Sequence, residues 1–339
     1  MRPLSAHALT AVAPPLAGVR WLIGKADEAS LVRLLRACYG ETYSHRGLYQ
    51  PGVFQSLWST GALASLGDFD EAGGLRGHTG LWFKDPGGDF VESGLSLAAP
   101  AVRQVRRRAG EAAVWPWLLQ QLAGSVELVH QHITTLHREA QFYALRYMGA
   151  RLSGLIPAYT VRERHVGLRE GNATTHALMM TTLLRPLPEE RRTILVPAGP
   201  HAGWLTRLAL ELGLAAREVA GAAPARARLE ELERAAGLEL IRQRATVDGA
   251  AVAAPLPDAE ARLELVHLPA QQEELATLSG PLYQAGYLPV GLRLGVRRAH
   301  EILWWRGAPP AGLCRQMALV RPAWEEIVEA WSKLTGPLQ

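Results

Sequence analysis

Cysteine and lysine are the scarce residues in this chain of 339. The two cysteines, Cys38 and Cys314, stand far apart. They form no disulfide framework and no cysteine-based metal spacing, and a cytoplasmic location is the expectation that follows. Only Lys25, Lys84 and Lys333 are lysines among 36 basic residues. Arginine is the better bidentate phosphate ligand, but the formal net charge is only +4, which gives no ground for expecting nucleic acid. Long apolar runs are also missing, so no membrane span is expected. Met1 to Leu16 is apolar and proline-rich, without a block long enough for a signal peptide; it reads as a loose lead-in to the first strand.

What is present is ordinary for a soluble globular protein: 48% apolar and 20% charged residues,. The length exceeds one typical core, so two units are expected, 1–160 and 161–339. Val19 to Ile23 reads as a strand. Glu28 to Tyr39 reads as an amphipathic helix with Leu31, Leu34, Leu35 and Cys38 on one face,. The aromatic, polar segment Tyr39 to Pro51 leads to a short helix over Val53 to Ser59. Leu63–Phe69 and Leu75–Phe83 form a hairpin across Asp70-Glu71-Ala72-Gly73-Gly74,. Further on, Glu127–Thr134 and Arg151–Pro157 read as strands, and Arg138–Met148 as a helix stopped by Gly149,.

The stretch Phe90 to Leu122 organises the rest. Val91, Leu95 and Leu97 alternate as on a half-buried strand, which Pro100 ends,. Arg103, Arg106, Arg107 and Arg108 follow, then Ala109-Gly110-Glu111-Ala112 and an apolar run at helical spacing. A strand, a basic turn with a glycine and a helix make a cradle for phosphate, because the first helical turn has unpaired N–H groups and a partial positive charge. The bland alternative is an exposed arginine loop that aids solubility.

Read as Arg107-x-x-Gly110-x-Ala112, this turn resembles the pyrophosphate loop of GNAT-superfamily N-acyltransferases. The order strand, helix, helix, three strands, helix, strand, helix, strand is similar to that of the GNAT fold, an α/β fold built on a mixed sheet. Tyr39-Gly40-Glu41-Thr42-Tyr43, Leu48-Tyr49-Gln50-Pro51, Gly77-His78 and the segment Thr134 to Leu155 resemble a bacterial subgroup of that family. The resemblance covers roughly residues 19–160. It implies acyl transfer, most simply of acetyl, from acetyl-CoA or another acyl-CoA to an amine. Leu95 and Leu97, within the stretch Gly94 to Leu97, would line the pantetheine arm. Arg106, Arg107, Arg108, Ala109, Gly110, Glu111 and Ala112 would hold the pyrophosphate.

A general base is supplied by Glu92 if strand alternation places it beside the acyl site; otherwise it is a solvated strand residue. The family's usual acid is a tyrosine four residues before the helix-ending glycine, and Leu145 stands there. Tyr143 and Tyr147, two residues to either side, are the substitutes, or packed aromatics. His45 and His78 belong to the subgroup-like segments, and either line the acceptor cleft or pack. His130 and His132 share a strand face with no third ligand at a recognisable spacing, so no metal is expected. Trp115-Pro116-Trp117 raises a specific conflict. A helix beginning near Gly110 takes a proline into its interior, whereas one beginning near Trp115 damages the cradle.

Beyond Tyr159, strands are expected at His176–Leu184, Thr193–Val196, Arg262–His267, Tyr287–Leu292 and Glu301–Trp305. Helices are expected at Pro200–Leu212, Ala225–Ala236, Gln271–Leu278 and Trp324–Leu334. Arg262 to Trp305 resembles the C-terminal half of a GNAT domain without a second phosphate loop, which implies a degenerate second unit. The rival to an enzyme is a catalytically silent GNAT-like module that binds a small molecule or a protein partner. Apolar strand edges and ten tryptophans are compatible with a homodimer.

Overall fold

The computed structural model describes residues 6–43, 45–83, 90–102, 110–136, 138–160, 166, 175–220, 227–235, 240–247, 263–269, 279–280, 282–283, 286–295, 300–306, 313 and 317–334. The lead-in contains a short helix, α1 (Ala6–Thr10), because Ala6 and Leu9 are buried against the core. Then come β1 (Val19–Trp21), α2 (Lys25–Tyr39), α3 (Val53–Ser59), β2 (Leu63–Phe69), β3 (Leu75–Trp82), β4 (Phe90–Ala98), α4 (Gly110–Leu122), β5 (Leu128–Thr134), α5 (Glu139–Met148) and β6 (Arg151–Thr160). From β1 onward this is the element order of the GNAT fold, and the class is mixed α/β as expected.

Local chemistry explains several of these boundaries. Asp27 accepts the N–H groups of Ile23 (3.0 Å) and Gly24 (3.1 Å) at the start of α2 and pairs with Arg20 at 2.6 Å. Glu28, one residue on, is buried and accepts the Phe54 N–H at 3.0 Å, capping α3 from α2,. Asp70 Oδ1 accepts the Gly74 N–H at 2.7 Å and closes the β2–β3 turn,. Helix α4 begins at Gly110 and carries Pro116 in its interior.

The chain continues with β7 (Thr175–Leu183), β8 (Thr193–Pro197), α6 (Ala202–Glu211), β9 (Ala215–Val219), β10 (Ala227–Ala235), β11 (Leu240–Val247), β12 (Leu263–Pro269), β13 (Tyr287–Arg293), β14 (Glu301–Arg306) and α7 (Pro322–Leu334). The helix expected at Ala225–Ala236 is instead β10. Its leucine spacing suits a helix, but the segment pairs antiparallel with β11 along its whole length, so tertiary pairing overrides local propensity. Strands β9 and β11 had no sequence expectation. The expected helix at Gln271–Leu278 lies outside the described residues.

Twelve strands form one sheet in the order β1-β2-β3-β4-β5-β7-β6-β13-β14-β12-β11-β10, and β8 and β9 form a separate parallel pair. Strand β7, which lies past residue 160, is inserted between β5 and β6. The last five strands repeat the pairing of β3 to β7. Strands β3 and β4 are antiparallel, β4 and β5 parallel, and β7 is antiparallel to both β5 and β6. Likewise β10 and β11 are antiparallel, β11 and β12 parallel, and β14 antiparallel to both β12 and β13. Gly149 (φ 62°) precedes β6 and Gly286 (φ 82°) precedes β13. A bulge falls between Leu152 and Gly154 in one strand and between Pro289 and Gly291 in the other.

The two sets of strands meet where Gly154 pairs with Gly291. A Cβ on Gly154 would lie 2.5 Å from both the Cα of Gly291 and the carbonyl oxygen of Val290. These are backbone atoms and cannot swing aside, so the approach demands glycine. One apolar cluster runs from α4 and α5 across this junction to α6 and α7; a second, smaller one holds α2 and α3 against β2 and the end of β4. Gln141, fully buried on α5, donates to the Ala318 carbonyl (2.6 Å) and accepts the Val320 N–H (3.2 Å), fastening the segment before α7.

Gly154→Val is expected to cost about 3 kcal/mol or more, read as a lowered urea midpoint. Gly124→Ala, where a Cβ meets nothing within 4 Å, should leave the midpoint nearly unchanged. Equal midpoints for wild type and Gly154→Val would show that the junction is not close-packed.

Candidate functional site

Strands β4 and β5 begin as parallel neighbours and then cease to pair. Their rungs run from Phe90/Leu128 to Ser93/Gln131 and stop there, although β4 continues to Ala98 and β5 to Thr134. At the same point β4 bulges against β3, with a register shift between His78 and Gly80. Leu95 lies in that bulge at φ 52°, and it is the sole non-glycine residue with positive φ among those described. Such a conformation costs on the order of 1 kcal/mol. It persists because its neighbours hold it. The buried ring of His78 donates from Nδ1 to the Leu95 carbonyl at 2.7 Å. Gly80 lets β4 close in, since a Cβ there would sit 3.0 Å from the Gly94 carbonyl oxygen.

The equivalent strands of the C-terminal set differ at this rung. Strands β11 and β12 pair one rung further, through Arg244/His267, and then part in their turn, since β11 continues to Val247 and β12 to Pro269. Aligned on the junction glycines through β7 and β14, that rung corresponds to Gly94/His132, where β4 and β5 are already unpaired. The bulge of the second set lies on β10, between Glu231 and Glu233. An earlier parting, with the bulge on the inner strand at a left-handed residue, therefore distinguishes the first set among the described residues.

Glu92 sits on the last turn of paired backbone before the gap, on the sheet face that holds α2 and α3. Its carboxylate is mostly buried and lies 3.8 Å from Nδ1 of His132. His130, next to it, approaches Thr181 Oγ1 at 3.0 Å, and Thr181 donates to Ser153 at 3.1 Å. The sheet curls so that Arg293 of β13 covers the Phe90 ring at 4.2 Å and pairs with Glu301 of β14 at 3.7 Å. Burial, and then the charges of Arg293 and His132, push the His130 pKa down to about 3, with Glu92 opposing,. His130 is thus a neutral group in a polar layer built by both sets of strands.

Tyr143 and Tyr147 share a face of α5, with ring centroids 5.3 Å apart. Tyr147 and Leu145 both pack against the larger apolar cluster, on the sheet face opposite to Glu92. Leu95 and Leu97 are buried against α2 and α3. Trp115 is buried in the larger cluster, and Trp117 turns to Trp21 on β1 with centroids 6.1 Å apart. Arg103, Arg106, Arg107, Arg108 and Ala109 lie outside the described residues; Gly110, Glu111 and Ala112 open α4. His45 packs on Tyr43 at 5.8 Å. No three His, Cys, Asp or Glu side chains gather as a metal site among the described residues. Arg293, Glu301 and Thr181 had no signal in the sequence, because each reaches the cluster from a strand far along the chain.

No family model and no curated protein matches the chain. Solved structures that resemble it include a spermidine N-acetyltransferase from Vibrio cholerae in complex with CoA and spermine. That likeness has 10% identity and a TM-score of 0.39, over 50% of this chain and 97% of that one. A GNAT superfamily phosphinothricin acetyltransferase from Sinorhizobium meliloti, in complex with AcCoA, has 18% identity and a TM-score of 0.37, over 49% and 89%. A putative acetyltransferase from Salmonella typhimurium, with its cofactor acetyl-CoA, has 15% identity and a TM-score of 0.34, over 50% and 95%.

The clamp on the bulge is testable through pH. Burial lowers the His78 pKa from 6.5 to about 4, so between these values the unfolded chain binds a proton that the folded one refuses. Its contribution is fully present above about pH 6.5 and is lost as the pH falls toward 4,. His130, His201 and His300 shift in the same direction. In urea unfolding from pH 7 to 4.5, His78→Asn should flatten the slope by about 1.4 kcal/mol per pH unit. An unaltered slope would mean that this imidazole is not held neutral.

Proposed function

We propose that the chain is an acyl-CoA-dependent N-acyltransferase with a single site in the gap between β4 and β5. One observation carries this reading: parallel pairing ends at Ser93/Gln131 while β4 bulges at Leu95. Main-chain amides past that rung can bind a pantetheine arm and a thioester carbonyl in place of a neighbouring strand. The pyrophosphate would rest at the start of α4 on the N–H groups of Arg108 to Ala112, with Arg106 and Arg107 supplying charge. The described part of α4 runs from Gly110, which supports a helix N-terminus near the arginine turn. Trp117 is engaged with Trp21.

A thioester in such a gap is reachable from both faces of the sheet. On one face Glu92, beside His132, takes the proton from the attacking amine, directly or through a water. The amine nitrogen then attacks the thioester carbonyl in a ternary complex, and the C–S bond breaks. On the other face Tyr143 or Tyr147 delivers a proton to the departing thiolate, the role for which Leu145 is unsuited. The acceptor is read as a small-molecule amine. The C-terminal strands are read as a degenerate copy whose parallel pair parts one rung later and has no bulge on its inner strand, with the unit boundary moved past β7. A catalytically silent module is the alternative, favoured by Leu145 and by the bulky Trp115-Pro116-Trp117 stretch of α4.

Calorimetry with acetyl-CoA should show binding by the wild type and none by Arg107→Glu/Gly110→Asp; unchanged affinity would remove the transferase reading. Thiol release with a panel of amines should fall about 100-fold in Glu92→Gln, with CoA affinity retained. Binding of CoA without thiol release from any amine would favour the silent module.

A further inference from the structure

The turn between β8 and α6 reads Pro197-Ala198-Gly199-Pro200-His201-Ala202-Gly203, and it holds a cluster that the acyl-transfer reading does not use. His201 is the residue before α6 and is only 2% exposed, yet neither of its ring nitrogens has a hydrogen-bond partner. Its ring stacks on Tyr283, with centroids 5.5 Å apart and planes 20° apart. Tyr283 in turn meets the edge of Trp304 at 4.9 Å. The Trp304 indole N–H is also buried without a partner, and the buried Tyr283 hydroxyl lies by the His201 backbone N–H with no acceptor for its own proton. Three polar atoms, two on His201 and one on Trp304, are thus unsatisfied together beside the Tyr283 hydroxyl proton, where buried polar groups are ordinarily paired,.

The place gives these atoms a common target. Tyr283 lies over the turn, its ring 3.6 Å and its hydroxyl 3.9 Å from the Cβ position of Gly199. Helix α6 has ten residues, so its first turn presents N–H groups and a partial positive charge toward the same spot. Ala202 N–H is satisfied by Gly199 and Leu205 N–H by His201, which leaves the N–H groups of Gly203 and Trp204 between them facing outward from the helix start. Gly199 and Gly203 are exposed, and a Cβ on Gly203 would meet nothing within 4 Å. The cluster is therefore buried, with two exposed glycines of the turn beside it.

We propose that the N-terminus of α6, with His201, Tyr283 and Trp304, binds the oxyanion end of a small ligand, a carboxylate or a phosphate. The hydroxyl, the indole and one imidazole nitrogen donate, and the helix amides complete the cradle. Burial holds the free His201 imidazole neutral, with its pKa near 4, so the ligand-free site carries no cation and an incoming anion draws a proton onto the ring. The site is separate from the proposed CoA gap, since it lies between the β8–α6 turn and β14 rather than on β4 and β5.

Thermal unfolding of the full chain is followed while sodium acetate or sodium phosphate replaces sodium chloride at constant ionic strength. The wild type should gain about 2–4 °C in Tm in a saturating manner with one of the two salts. Acetate as the effective salt identifies a carboxylate ligand, phosphate a phosphate ligand. Gly203→Asp places a carboxylate beside the cluster and suits the first turn of a helix, so it folds and should lose the gain. His201→Phe keeps the ring stack, removes both orphaned nitrogens, and should show a higher Tm without added anion and no gain with it. Equal gains in wild type and both variants, or no gain in any, overturns the proposal.

Discussion

Everything in this molecule turns on a contact that only two glycines can make. Gly154 and Gly291 bring β6 and β13 so close that their Cα atoms occupy the space a side chain would need. Through that one rung two sets of strands become a sheet of twelve. The bulges beside it bend both strands, and the sheet curls far enough for Arg293 to cover Phe90. Without the junction, the polar layer around Glu92 and His130 would lack its far wall. Charged groups would then meet water, and the shift that keeps His130 neutral would shrink.

The gap between β4 and β5 depends on a second local constraint, the left-handed Leu95. A leucine is a costly residue for that conformation, and it is buried against α2 and α3 rather than exposed. Its carbonyl is engaged by His78, its approach to β3 is permitted by Gly80, and Cys38 of α2 donates to the Ala98 carbonyl four residues from Gly94. The strand is thus restrained from β3 and from α2 together. A backbone restrained from these sides is preorganised on the remaining one, which is what recognition by main-chain amides requires.

Much of this was legible in the sequence, and unevenly. Helix α2, helix α3 and the β2–β3 hairpin follow from short-range chemistry: apolar spacing, Asp27, and the Asp70–Gly74 turn. The strand at Phe90 was readable from its alternation, but the bulge was not, because nothing in Gly94-Leu95-Ser96-Leu97 announces a positive φ at a leucine. Strand β10 was misread as a helix because its pairing partner, not its composition, decides its conformation. The site divides the same way. Glu92 could be singled out as a candidate because it lies in the organising strand, and the tyrosines because a helix stop fixes their frame. Arg293, Glu301 and Thr181 were invisible, since Thr181 reaches His130 through the pairing of β7 with β5 and the curl of the sheet brings the other two near residues 90–132. The fate of the arginine turn lies outside the described residues.

The ends of the sheet show how so long an array can stay separate from its copies. At one end β1 has three residues and offers few backbone groups to a newcomer. At the other, β10 is nine residues long and would be an inviting template, but its sequence Ala-Arg-Leu-Glu-Glu-Leu-Glu-Arg-Ala carries charge at five positions. Charge along an edge strand disfavours its pairing with another sheet, because charged groups would have to shed their hydration. Among the described residues, both rims of the sheet are therefore poor templates for edge-to-edge growth.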